Sequence, residues 1–245
     1  MRHSFMLGMI LWTLLAWGGG LYLQAAPPYE QGVEALKKGD LVSARHIFDQ
    51  QNQVHPTAGA WANLGLIEWQ SGRAGLAILD WERAIWLDPG NRAARQNLEF
   101  ARQAAELEAP DYRWYEAASL ACPAGTWAWL TGLGLWLAVG ALVLPRVFHW
   151  HRPGWQQLAL AIGLGLFLIS ATADWGIISR TQLGFVIHRN SSLRLTPTTG
   201  SELLTGLTPG DPVRQLKVRG QFVYVQCASG TGWLERDQIG LICVP

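Results

Sequence analysis

Three cysteines and six histidines are the side chains from which this chain would build a metal centre or a nucleophile. His149 and His151 stand two apart with no Cys and no third His beside them, whereas a zinc site takes three or four protein ligands. Cys122, Cys227 and Cys243 show no metal spacing. An exported chain could oxidise Cys227 with Cys243, since both fall in the C-terminal domain; buried free thiols are the favoured alternative. His188 has no acid or nucleophile to partner it in the sequence. No Gly-x-Ser-x-Gly elbow, Walker loop, His-Glu-x-x-His pair or paired-Cys motif occurs. The expectation is a non-catalytic chain with no cofactor and no metal site. A formal net charge of +1 supplies no long-range field for nucleic acid or another polyanion. What remains is binding, and the elements that present the surfaces decide what is bound.

Two uncharged runs frame those elements: Thr126 to Leu144 and Pro153 to Ala173 hold no ionisable residue. About 20 mostly apolar residues suffice to cross a bilayer as a helix, and in hydrocarbon each segment must satisfy its own backbone amides. The pattern reads as a transmembrane hairpin, residues 126–145 and 155–178, joined by a loop at 146–154. A buried soluble hairpin is the alternative, but soluble helices show a polar face. Trp127, Trp129 and Trp175 near one interface, and Trp150 and Trp155 near the other, suit the headgroup layer. Arg146 and Arg152 make the loop basic, which places it in the cytoplasm and both flanking domains on the far side. Asp174, at the outer end of the second helix, can reach the headgroups. At the N-terminus, Met1-Arg2-His3-Ser4 precedes the uncharged Phe5 to Leu23, so residues 1–26 read as a secretory signal, cleaved or kept as an anchor. The expected location is the bacterial inner membrane, multi-pass, with both soluble domains periplasmic.

Between signal and hairpin the chain repeats itself. Gly32, Gly39, Ala44, Phe48 and Pro56 recur 33 residues later as Gly65, Gly72, Ala77, Trp81 and Pro89. Gly32/Gly65 and Ala44/Ala77 allow two helices to approach closely, Phe48/Trp81 fills the space between them, and Gly39/Gly72 makes the turn. Pro56 and Pro89 stop the second helix of each pair. With Trp61, Leu64 and Gly65 opening a first helix, the pattern resembles the tetratricopeptide repeat, about 29–56 and 58–89 within a domain at 27–109. Residues 91–108 read as a third first helix serving as a cap. The resemblance implies a peptide-binding concave face at Tyr29, Val33, Leu66, Trp69, Phe100 and Gln103, with Asn63 and Asn97 able to bond a peptide backbone. Ala26 and Gly59 stand where a carboxylate clamp would need Lys or Arg. The alternative is that Leu66, Trp69 and Phe100 only close the helical stack. The linker aromatics of Ala109 to Tyr115 suit the outer membrane interface.

From Gly184 onward short strands alternate with Gly and Pro, which suggests a small all-β barrel. Phe185–His188, Glu202–Thr205, Pro212–Val218, Phe222–Cys227, a strand opened by Gly232-Trp233-Leu234, and Ile239–Val244 are the expected strands; Ser191–Gly200 reads as a turn region. Leu207-Thr-Pro-Gly210-Asp-Pro-Val213, Phe222-Val-Tyr-Val225 and Gly230-Thr-Gly232-Trp233-Leu234 resemble the bacterial SH3-like domain at 184–245. Phe222, Tyr224 and Trp233 would supply an aromatic ligand surface, with Trp233 as a core residue the favoured reading.

The order of signal, repeats, membrane hairpin and SH3-like barrel is similar to that of the BatE-type proteins of bacterial aerotolerance operons. That resemblance implies an envelope scaffold whose protein partners are membrane-anchored von Willebrand factor A proteins and, across the membrane, a MoxR-type ATPase. A barrel of this kind also implies peptidoglycan as an alternative ligand.

Overall fold

The computed structural model describes residues 27–148 and 153–243. The expected signal segment 1–26 and loop residues His149, Trp150, His151 and Arg152 lie outside the described residues.

Five helices come first: α1 Pro27–Lys37, α2 Leu41–Val54, α3 Ala58–Gln70, α4 Ala74–Leu87 and α5 Arg92–Ala104. Each 33-residue step is one antiparallel pair. Gly39 and Gly72 turn the pairs with φ of +80° and +73°, a region that a Cβ would strain. A Cβ on Gly32 would lie 2.8 Å from the Phe48 ring, and one on Gly65 would lie 2.5 Å from the Trp81 ring. The small residue and the aromatic therefore fit as a lock. Phe48 and Trp81 are buried, and truncating such a ring costs about 3–5 kcal/mol. Asp40, Thr57 and Asn91 accept the backbone N–H of Ser43, Ala60 and Ala94 and so cap α2, α3 and α5. α5 is shorter than residues 91–108: it ends at Ala104, and Glu106 follows with φ of +54°.

A short helix, α6 Trp114–Ser119, leads into α7 Ala124–Phe148 and α8 Pro153–Arg180. α7 and α8 are long and apolar enough to cross a membrane, and only 11% and 17% of their most apolar windows are buried. The helices of a soluble core would be mostly covered. Both run past the expected bounds. Pro145 lies inside α7, where near the last turn it removes a single N–H. The pair meets at small residues: a Cβ on Gly134 would lie 2.6 Å from Phe167 N, and one on Gly163 would lie 2.7 Å from Ala138 N. Thr131 Oγ1 donates to Asp174 Oδ2 at 2.7 Å between the two helices, which gives Asp174 a structural partner.

Seven strands follow: β1 Leu183–Val186, β2 Ser191–Arg194, β3 Leu203–Leu207, β4 Pro212–Arg219, β5 Phe222–Cys227, β6 Gly230–Glu235 and, after a 3-10 turn at Arg236–Gln238, β7 Ile239–Leu241. They form one antiparallel sheet in the order β3-β2-β6-β5-β4-β1-β7. Val186, Leu193, Leu207, Val213, Val223, Val225, Leu234 and Ile239 share one apolar cluster, so the sheet curls around its own core. The Ser191–Gly200 region corrects the sequence expectation of a turn. Its first four residues are β2, with Ser191 and Leu193 buried, because alternation decides a strand even when its polar members are Ser.

The helical lobe and the sheet are not separate. β1 is buried throughout. Leu183 and Phe185 join the cluster of α4 and α5, with Ile78, Leu79, Trp81 and Leu98, while Val186 joins the sheet core. Glycine makes the approach possible. A Cβ on Gly75 would lie 2.5 Å from the Val186 carbonyl, and one on Gly240 would lie 2.1 Å from Leu79. Arg83 adds hydrogen bonds from Nη2 and Nε to the Leu241 carbonyl at 3.0 and 3.3 Å. Gly75→Ala should therefore force a backbone shift costing about 1–3 kcal/mol, read as a lower denaturant midpoint and faster proteolysis of the 105–113 linker. An unchanged midpoint and cleavage rate would show that α4 and β1 do not meet this closely.

Candidate protein-binding site

α1, α3 and α5 stand side by side and present the residues expected to line a groove. Trp69 on α3 packs edge-on against Phe100 on α5, ring centroids 5.9 Å apart, and against Trp81 behind it at 6.1 Å. Phe100 is 60% exposed; Trp69 and Leu66 are half-buried, and Gln103 is exposed at the end of α5. An exposed ring already held by a neighbour loses little freedom on binding. The other end of the row is more closed. Tyr29 packs edge-on against Phe48, centroids 5.7 Å apart, and its hydroxyl accepts from Asn63 Nδ2 at 3.3 Å. Asn63 thus keeps its carbonyl oxygen and one amide N–H for a ligand. Val33 packs into the α1–α3 core, and Asn97 is half-buried.

The second candidate surface lies on the sheet. Val223, Val225 and Leu234 point inward while Phe222, Tyr224 and Trp233 alternate with them and are half-buried. Trp233 is therefore no core residue, which corrects the favoured reading. It stands opposite Tyr224 across β5 and β6, centroids 5.1 Å apart, and Arg194 on β2 faces it from the other side. The Tyr224 hydroxyl shares a hydrogen bond with Thr231 Oγ1 at 3.1 Å.

Behind both surfaces sit buried ions that the sequence pattern did not reveal. Glu116, on α6, is fully buried. It accepts from Arg214 Nη1 at 2.7 Å and Nη2 at 2.9 Å, from the Arg113 N–H at 3.0 Å and from Ser179 Oγ. Burial alone would raise its pKa, but the Arg214, Ser179 and Arg113 hydrogen bonds together outweigh that and hold it below the usual carboxylate range. This cluster ties α6, the end of α8 and β4 into one joint. Arg180 lies with its guanidinium 4.9 Å from the Trp86 ring and 5.7 Å from Tyr112. Tyr112 is thus packed between the lobes rather than set at the interface with Trp114. In the repeats, Glu82 pairs with Arg102, and Glu68 pairs with Arg45 and Arg73. Cys122, Cys227 and Cys243 are free and half-buried, and His188 is exposed. No group of three or more metal-ligating side chains occurs among the described residues.

No family model matches this chain, and no curated protein matches it.

Asp80, on α4, is buried with Arg83 Nη1 3.4 Å away. Burial pushes its carboxyl up to about 8, against the pull of Arg83, with Glu68 and Asp49 raising it further. Such a group keeps in the native state a proton that the unfolded chain releases near pH 4. Stability should then decline as pH rises from about 4 toward about 8. Asp80→Asn keeps an acceptor for Arg83 and should flatten that decline, as measured by unfolding at stepped pH. A slope identical to that of the unsubstituted chain would refute the assignment.

Proposed function

We propose that this is a non-catalytic, membrane-anchored scaffold that binds protein partners through tetratricopeptide-type repeats. The observation that carries the reading is the Trp69–Phe100 pair, held edge to face with Phe100 exposed on the row formed by α1, α3 and α5. The 33-residue helical pairs, with glycine meeting an aromatic at the same place in each, support the repeat assignment. The curled antiparallel sheet supports an SH3-like domain. The two apolar helices support a multi-pass anchor in a bacterial inner membrane with both lobes periplasmic, because the helical lobe and the sheet lobe meet at the same end of the hairpin. In this reading the chain resembles the BatE-type proteins of aerotolerance operons. Its partners are then membrane proteins of the von Willebrand factor A class and, indirectly, a MoxR-type ATPase. Crosslinking pull-down from native membranes should recover a partner that is lost, by at least tenfold, on joint Trp69→Ala and Phe100→Ala substitution (~1.4 kcal/mol or more for two hot-spot rings). Recovery unchanged by the double variant would overturn the groove.

A second reading, a cell-wall adaptor, is favoured by the outward Phe222, Tyr224 and Trp233. Under it, sedimentation with purified peptidoglycan should depend on Trp233 and be indifferent to Trp69. Loss of sedimentation on Trp69→Ala, or retention on Trp233→Ala, would remove it.

A further inference from the structure

The β4–β5 hairpin is apolar, basic and uncovered. Leu216 and Val218 are 50% and 45% exposed. Lys217 and Arg219 between and beside them are exposed, and neither pairs with an acid among the described residues. From Pro212 to Leu234 the chain holds no Asp or Glu. The bulge between Gln215 and Lys217 interrupts the alternation. Gly220 turns the tip with φ of +60°, and Phe222 stands opposite Arg219 on the return strand. The Arg236 N–H donates to the Gln221 carbonyl at 2.8 Å, bringing one further exposed cation, with Asp237 next to it, to the flank of the tip.

The direction of this hairpin follows from the register. β1 leaves the end of α8 after only Thr181 and Gln182. β4 is antiparallel to β1, with Arg214 opposite Leu183, the first residue of β1. The Gln215 N–H donates to the Gln182 carbonyl at 2.8 Å, and Arg214 reaches Glu116 and Ser179 at the joint with α8. Residues 216–219 therefore continue past the start of β1, back toward the side on which α7 and α8 lie. At roughly 3.3 Å per residue, the stretch from Arg214 to Arg219 carries the tip about 16 Å that way. Trp114, Trp129 and Trp175, at the same end of α6, α7 and α8, are 74%, 77% and 65% exposed.

We propose that the β4–β5 tip docks on the headgroup layer of an anionic bilayer, with Lys217 and Arg219 on lipid phosphates and Leu216 and Val218 at the acyl boundary. This rests on the reading of α7 and α8 as membrane-spanning. Charge complementarity selects the lipid: cations without a local acid are drawn to an anionic leaflet, and adjacent apolar side chains gain by leaving water. Continuity selects the place, since the tip projects toward the end of the hairpin that carries the exposed indoles.

The test uses the full chain in lipid nanodiscs, with Cys122, Cys227 and Cys243 replaced by Ser and one nitrobenzoxadiazole label per protein. Val218→Cys reports the tip. Thr198→Cys, on the β2–β3 loop at the opposite end of the strands, reports water. Trp136→Cys, at an exposed position of α7, reports the span. In phosphatidylglycerol-containing discs the label at 218 should emit to the blue of its position in pure phosphatidylcholine discs, and the label at 198 should not change. Joint Lys217→Gln and Arg219→Gln should lower the docked-to-free ratio about 30-fold, roughly 1 kcal/mol for each cation. Identical emission at 218 in the two lipids, with the label at 136 in hydrocarbon, would overturn the docking and leave the span standing. A label at 136 that stays in water would sink the span, and the docking with it. A shift at 218 that follows the number of copies per disc rather than the lipid would assign the tip to a second copy instead and also overturn the proposal.

Discussion

The molecule is organised by a four-residue strand that is dry on both faces. β1 gives Leu183 and Phe185 to the helical lobe and Val186 to the sheet, so neither core closes without it. Burying an apolar side chain of this size is worth about 1.5–3 kcal/mol, and the strand makes three such burials in opposite directions. The arrangement works only because glycine backbone lies at the contact. Gly75 and Gly240 lie where any side chain would fall within van der Waals range of the Val186 carbonyl or of Leu79. The repeat stack and the sheet therefore behave as one body. A surface on either is presented in fixed relation to the other.

The same economy holds where α6 and the sheet meet the end of α8. Burying a carboxylate is unfavourable unless its charge is met by a partner and its lone pairs by donors. Glu116 has both, from a helix before the hairpin, a helix of the hairpin and a strand after it. Gly176 brings α6 close enough, its would-be Cβ 2.2 Å from the Tyr115 carbonyl, for that carboxylate to reach Ser179 and Arg214. Three segments far apart in the chain thus share one polar contact. The sheet and α6 are held on the helical hairpin by hydrogen bonds and not merely tethered by linkers.

Much of this was legible in the residues. The 33-residue period placed Gly32, Gly65, Phe48 and Trp81 correctly because each contact lies within one repeat, where spacing alone determines who meets whom. The two uncharged runs became long exposed helices for the same local reason. The docking of the lobes was not legible. Gly75 and Gly240 carry no sign of their partners, and a glycine in a short segment reads as a turn. In sequence β1 is an ordinary strand, because a short apolar run does not say that both faces are covered. The size of Trp233 suggests a core, but in period-two alternation its neighbours Gly232 and Leu234 hold the inward positions. For the candidate groove, helix periodicity put Trp69 and Phe100 on the presented side. It does not show that Asn63 donates an amide N–H to Tyr29, a contact across 34 residues.

The bond from Arg83 to the Leu241 carbonyl spans 158 residues, and it sets a timetable for synthesis. A ribosome adding 5–20 residues per second needs about 8–30 s to travel that distance. Until Phe185 and then Ile242 emerge, the α4 surface that will receive them lacks its cover. The nascent helical lobe emerges incomplete, and it is finished only when β7 and Ile242 have been made.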